Sequence, residues 1–198
     1  MKYRTIVADP PWDHSDGTGY SYGEKHRSDQ GKTRSGVPRS TAPPYPVLSV
    51  GAISELAVGD LAAEDAHLYL WTTQRYLRAS FEVVTAWDFK VSSTLVWCKA
   101  PKGFMGGAFR SSVEFCQFAR RGSPAHKQQA SAQWFTWPRS GYTQRDPAAA
   151  HSAKPPAFYD LVEATSPGPY LELFARRQRL GWDTWGNEAL EHVTLGTV

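Results

Sequence analysis

The sequence is poor in cysteine and has no long apolar run. Cys98 and Cys116 are its two cysteines in 198 residues. That is too few for a disulfide framework or a four-cysteine zinc site, so a reducing cytoplasm is the expected compartment. No stretch of about 18 apolar residues exists, which speaks against a membrane-spanning helix. The start, Met1-Lys2-Tyr3-Arg4-Thr5-Ile6-Val7, lacks the apolar core of a secretory leader and enters a strand-like run directly. There is no Gly-x-Gly-x-x-Gly turn, so a pyrophosphate site is not expected. Internal repeats and linkers are also lacking. What is present suits one soluble domain spanning 1–198: 41% hydrophobic and 21% charged residues. Eight tryptophans imply a Trp-rich core or surfaces that stack on planar ligands.

Net charge is only +3, but it is unevenly spread. Residues 99–154 carry nine Lys/Arg against Glu114 and Asp146, a local excess of +7. Such a block is either a polyanion-binding face or a solvated basic loop region.

Thr5-Ile6-Val7-Ala8 reads as a short buried strand that ends at Asp9-Pro10-Pro11-Trp12, because two prolines cannot continue a ladder. Residues 13–46 are aperiodic and rich in Gly, Pro and Ser, the composition of a long lid loop. Ser49 to Leu56 predicts a short helix. His67 to Trp71, Val91 to Lys99, Glu114 to Ala119, Tyr170 to Ala175 and Gly181 to Gly186 predict strands. Thr73 is placed to cap a helix with the apolar stripe Leu77, Phe81 and Val84. A second long loop is expected over 121–151. Ser152 and Pro155-Pro156 then open a helix running to Thr165, stopped by Ser166-Pro167-Gly168-Pro169. Strands alternating with helices predict an α/β fold with a mostly parallel sheet.

The sharpest motif is Asp9-Pro10-Pro11-Trp12 at a strand's carboxyl end, where α/β sheets bind ligands. Asp9 offers a carboxylate, Pro10 a carbonyl held in a fixed direction, and Trp12 a flat face. Two acceptors beside a stacking plate suit an exocyclic amine on a planar heterocycle. Such an amine is a poor nucleophile, since its lone pair is drawn into the ring. Accepting both of its N–H bonds favours a pyramidal nitrogen and stabilises the charge that develops as it attacks an electrophile. Holding the partners in line supplies much of the rest.

Asp9-Pro10-Pro11-Trp12 resembles the signature of amino methyltransferases that use S-adenosylmethionine. The chain resembles the MT-A70-like adenine N6-methyltransferases in particular, over nearly its whole length. The resemblance runs through Leu68-Tyr69-Leu70-Trp71-Thr72, Leu95-Val96-Trp97-Cys98-Lys99 and His151-Ser152-Ala153-Lys154-Pro155 to Leu171-Glu172-Leu173-Phe174-Ala175-Arg176 and Gly181-Trp182-Asp183-Thr184-Trp185-Gly186-Asn187-Glu188. It implies a Rossmann-like class I methyltransferase fold, circularly permuted, with the catalytic motif first and the cofactor strands last. It implies S-adenosylmethionine as cofactor, S-adenosylhomocysteine as product and no metal. By position it implies Asp9, Pro10, Pro11 and Trp12 as the catalytic motif. Lys154 would meet the cofactor carboxylate. Arg176, Gln178 and Arg179 would lie at its ribose, with Gln178 standing where the family commonly has His. Asn187 and Glu188 would read its adenine and ribose. Trp12, Tyr45, Trp71, Ser111, Ser112 and Glu114 would lie near the target base, whereas Trp97, Trp182 and Trp185 are expected in the core.

The expected substrate is nucleic acid. The compact form, with eight residues before Asp9, resembles microbial and phage DNA-modifying members and favours DNA over RNA. RNA adenine, cytosine N4 and a free nucleotide present the same kind of amine and remain alternatives. A non-catalytic nucleic-acid-binding partner subunit is the reading outside enzymology. With no appended recognition domain expected, target selection falls to the basic loops, a second copy of the chain or an accessory subunit.

Overall fold

The computed structural model describes residues 2–13, 47–99, 109, 112–130, 132–138, 153–187, 189 and 192–197. Seven strands form a single sheet: β1 (Tyr3–Ala8), β2 (Ala62–Thr72), β3 (Lys90–Cys98), β4 (Val113–Arg121), β5 (Trp134–Phe135), β6 (Tyr170–Leu173) and β7 (Trp182–Trp185). Their order is β5-β3-β4-β2-β1-β6-β7. β1 runs parallel to β2 and β6, β6 to β7, and β3 to β5, whereas β4 is antiparallel to both β2 and β3. β4 alone therefore opposes the other strands, and the expected α/β fold with a mostly parallel sheet is what forms.

Period-two alternation divides the central strands between two apolar layers. Ile6, Ala8, Leu68, Leu70, Leu171 and Leu173 pack with Ile53, Val58, Val83, Val84 and Trp87 on one face. That layer is covered by α1 (Val50–Ser54), α2 (Val58–Leu61) and α3 (Leu77–Ala86). Val7, Tyr69 and Trp71 face the opposite way, against Phe158 and Val162 of α4 (Pro156–Thr165) and Trp182. Trp97 and Trp182 are buried, as expected of core tryptophans, and Trp185 packs partly buried against the first layer.

The structure differs from the sequence reading at several elements. Phe81 is 44% exposed, so the stripe Leu77-Phe81-Val84 is not the buried face of α3. Val84 is buried as expected, together with Ala79, Ser80 and Val83. The small Ala79 and Ser80 let the helix lie close to the sheet, where Gln117 Nε2 donates to Ser80 Oγ at 3.1 Å. Thr73 precedes a short 3-10 turn, Gln74–Tyr76, and its side chain caps nothing. Helix α4 starts at Pro156 from Pro155, without a side-chain cap; Ser152 lies outside the described residues. Within the expected loop 121–151, Trp134 and Phe135 add the edge strand β5. The stretch 14–46 of the other expected loop lies outside the described residues.

His67 is a buried polar residue of the α4-side layer. It is fully buried, and neither ring nitrogen has a hydrogen-bond partner among the described residues. Its ring stacks on His126 at 5.0 Å and 9°. Burial pushes its pKa down to about 4, helped by the charges of His126, Arg4 and Arg120.

Candidate active site

β1 lies centrally, between parallel neighbours on both sides. Ala8 pairs with Leu70 and Leu173, and Leu173 pairs with Trp185. The residues that follow, Asp9, Trp71, Phe174 and Gly186, therefore line one carboxyl edge, the side on which α/β sheets bind ligands. Past Asp9 the prolines end the ladder and the chain tightens. Trp12 N–H donates to Pro10 O at 2.9 Å, closing a three-residue turn. Leu48 N–H donates to Pro11 O at 2.9 Å and Asp13 N–H to Leu48 O at 3.2 Å. The tetrapeptide is thus clamped on both sides, and the fixed Pro10 carbonyl keeps a second lone pair for a ligand.

Four charges of alternating sign meet at this edge. Lys154 Nζ, just before α4, lies 2.5 Å from Asp9 Oδ2 and 3.5 Å from Glu114 Oε2 on β4. Lys99, just past β3, pairs with Glu114 Oε1. Both lysines also lie over indoles: Lys154 is 5.1 Å from the Trp71 ring centre and Lys99 4.9 Å from that of Trp97. The side chains of Lys154, Glu114 and Lys99 are 4%, 12% and 9% exposed, and that of Asp9 is 28% exposed. Asp9 is therefore the member of the chain that a ligand meets.

Burial raises the Asp9 pKa; the Lys154 ammonium opposes this without cancelling it. Burial disfavours the Lys154 charge, but Asp9 and Glu114 outweigh it and hold its pKa up. Glu114 is held low by Lys154 and Lys99 against the burial that would raise it.

A third carboxylate lies one row behind Asp9. Glu172, within β6, pairs with Val7 and accepts a hydrogen bond from Tyr159 Oη of α4 at 2.6 Å. Burial pushes its pKa up to about 7; the Tyr159 hydrogen bond works against this, and the negative charge of Asp9 adds to it.

The comparison with known proteins decides the family. Residues 3–188 match the MT-A70 family as a whole. The chain belongs to the MT-A70 family. It is 29% identical over 193 residues to the type II methyltransferase M.MunI of Mycoplasma, covering 94% of this chain and 78% of that one. It is 28% identical over 204 residues to the human N(6)-adenine-specific methyltransferase METTL4, covering 96% of this chain and 39% of that one. With an MT-A70-like N(6)-adenosine-methyltransferase of Drosophila melanogaster it shares 23% over 202 residues, 27% of that protein. The chain thus spans well under half of the two animal relatives.

Methyltransferases of the MT-A70 family use S-adenosylmethionine, and the edge fits that group. Arg176 and the partly exposed Asp9 are a cation and a carboxyl group that would match its carboxylate and ammonium groups. Trp71 Nε1 and Thr73 Oγ1, at the end of β2, are buried without a hydrogen-bond partner among the described residues. Orphaned polar atoms of this kind mark a polar ligand's place. Among the described residues no cluster of metal-ligating side chains forms.

The MT-A70 resemblance assigned roles that the structure places unevenly. Asp9, Lys154 and Glu114 come together. Arg176 lies close enough to Asp9 to favour its charged form. Trp12 is 5% exposed: its ring stacks on Tyr76 at 5.2 Å, and its Nε1 donates to Trp71 O at 3.0 Å. It is a core ring that holds β1 to β2, not the open plate expected. Trp71 is equally buried, edge-on to Phe158 and Trp97. Arg179 points away from the expected ribose role. Its guanidinium binds Glu163 and Asp160 of α4, each at 2.8 Å, and covers the Tyr159 ring. Gln178 and Asn187 are exposed. Ser112 O accepts from Lys99 N–H at 2.7 Å. Tyr45, Ser111 and Glu188 lie outside the described residues.

Three site residues escaped the motif reading: Lys99, Tyr159 and Glu172. The usable signal was a lone carboxylate inside Leu171-Glu172-Leu173-Phe174, because a charge amid a buried strand needs a partner or a purpose.

Proposed function

We propose that this protein transfers a methyl group from S-adenosylmethionine to the N6 amine of adenine in DNA. The observation that carries the reading is Asp9, the one partly exposed carboxylate of the buried charge chain, beside the clamped Pro10 carbonyl at the end of the central strand. Membership of the MT-A70 family and likeness to a type II methyltransferase support adenine and DNA.

The cofactor supplies a methyl group on a positively charged sulfur. Asp9 and the Pro10 carbonyl accept the two N–H bonds of the target amine and stabilise the charge it gains. Arg176 would hold the cofactor's carboxylate end, with Lys154 fixing Asp9 from behind, and Asn187 would contact its nucleoside end. Removing the adenine from its stack precedes the chemistry, since an amine inside a duplex cannot reach this edge.

Residues 1–198 act as one domain in this reading, with the catalytic strand ahead of the cofactor strands, the order of a circularly permuted methyltransferase. The basic segment 99–154 binds phosphates, and a second copy or an accessory subunit adds target selection. The free thiols of Cys98 and Cys116 suit a reducing cytoplasm. Among the described residues no helix is long and apolar enough to cross a membrane.

Incubation with labelled S-adenosylmethionine and a panel of DNA, RNA and free nucleotides, followed by nucleoside mass spectrometry, tests the proposal. N6-methyldeoxyadenosine is the expected product. Methylated cytosine, or methylation of free nucleotides alone, would overturn it.

A further inference from the structure

We infer that Trp134 is a stacking platform for a nucleotide several positions from the methylated adenine; the inference rests on the proposed function above. Trp134 is 62% exposed on β5, the edge strand of the sheet. Among the described residues no further strand pairs with β5, and the indole offers a flat face to a planar ligand. Its backbone is firmly held. Val96 N–H donates to Gln133 O at 2.8 Å, and Trp97 Nε1 donates to Trp137 O at 2.8 Å. The rings of Phe135 and Trp137 stack at 4.2 Å and 6°. A large aromatic surface on a pre-ordered backbone binds a planar base with little further ordering.

Strand register places this platform relative to the reactive edge. Trp134 pairs with Val96, Val96 with Phe115, and Phe115 with Thr72. Thr72 lies one residue beyond Trp71, which is level with Asp9 because Ala8 pairs with Leu70. Trp134 therefore lies on nearly the same row as Asp9, four strands away, about 19 Å at the usual strand spacing. At about 3.4 Å of rise per stacked nucleotide, that span is about six nucleotides, and fewer for a stretched strand.

Alternation turns Trp134 to the sheet face opposite Phe135, the face that α3 covers. A shallow, open depression lined by Gln74, Leu77, Arg78, Phe81 and Glu82 lies along the outside of α3. A strand serving both sites thus crosses the carboxyl edge from Asp9 toward the α3 side. The occupant is nucleic acid because Trp134 shares the carboxyl edge with Asp9, where the proposed substrate is presented; Arg120 and Arg121 of the basic segment lie at the other end of β4 and take no part here. A strand of flat bases matches both that edge and the exposed indole.

The test compares two DNA oligonucleotides, one with two nucleotides on each side of the target adenine and one with eight. Trp134→Ala should raise KM for the longer one about five- to hundredfold, the usual loss of one base–aromatic stack, with kcat unchanged. KM for the shorter one should stay as in the parent. Trp134→Phe should recover most of the loss, and Leu180→Ala, which removes a fully exposed apolar side chain elsewhere, should change neither. An equal effect of Trp134→Ala on both lengths, or none on either, would overturn the platform while the parent still methylates. A change in oligomeric state on sedimentation, with KM unaltered, would also overturn it and make this edge a protein interface. Failure of the parent to methylate either oligonucleotide would instead count against the proposed function.

Discussion

Lys154 Nζ lies 2.5 Å from Asp9 Oδ2, and Glu114 holds the same ammonium from its other side at 3.5 Å. One buried cation thus separates two carboxylates, one just past β1 and one in β4. Removing it leaves two negative charges facing each other at low dielectric. Lys154→Met should destabilise the fold by about 3–5 kcal/mol, the usual cost of orphaning a buried charge. Adding Glu114→Gln to that variant should restore part of the loss, because one of the stranded charges is then gone. Urea titration of the three proteins checks both.

Two buried groups set opposing pH dependences of stability. His67 has its folded pKa pushed down to about 4 from 6.5, so the unfolded chain takes up the proton more readily. Its contribution is complete above pH 6.5 and is lost as pH falls toward 4. Glu172 has its pKa raised from 4.5 to about 7, so the folded protein holds the proton. Its contribution is complete below pH 4.5 and is lost as pH rises through 7. Each is worth at most about 3 kcal/mol by linkage, and in the parent they largely offset one another between those limits. His67→Phe should therefore lose stability as pH rises from 4.5 to 7, and Glu172→Gln as pH falls from 6.5 to 4. Denaturant midpoints across that range distinguish the two slopes.

Tyr159→Phe removes the hydrogen bond that holds the Glu172 pKa down. The carboxyl should then titrate above 7. A carbon-13 titration of Glu172 in the parent and in the variant measures the shift directly.

Arg179 serves helix α4. Arg179→Ala should lower Tm by a few degrees, as expected for a partly exposed ion-pair network worth about 1 kcal/mol. Cofactor affinity measured by calorimetry should hardly change. A large loss of affinity with Tm intact would return Arg179 to the ribose.

DNA binding should weaken steeply with salt. The logarithm of the binding constant falls by about 0.9 per phosphate contact for each tenfold rise in salt. Fluorescence anisotropy over a salt series reads the slope, and a flat line would remove the basic segment 99–154 from the interface.

The parts of the fold that were legible in the sequence are those with strong local pattern. Thr5 to Ala8, His67 to Trp71 and Val91 to Cys98 carry dense apolar and β-branched residues, and all three are strands. The buried face of α3 was misjudged because large side chains drew the eye to Phe81, whereas close approach to the sheet selects Ala79 and Ser80. β5 spans two residues, too short for periodicity to register. At the site, the tetrapeptide announced itself and the family resemblance named Lys154 and Glu114, but their pairing with Asp9 was not legible. Asp9 and Lys154 are 145 positions apart, and Tyr69 and Ser166, whose hydroxyls meet at 2.8 Å, are 97 apart. Such pairings arise only when the strands come into register. Trp12 was given a stacking role for its flat face and is buried instead; Arg179 was given a ribose role by family position and pairs with Glu163 and Asp160.

The most direct measurement is methyl transfer by Asp9→Asn and Asp9→Ala, read as N6-methyldeoxyadenosine per protein, beside calorimetric binding of S-adenosylmethionine. The account predicts that both variants lose turnover while binding of the cofactor persists in part, because the carboxylate acts on the target amine. Methylation at the parent's rate in Asp9→Ala would contradict it.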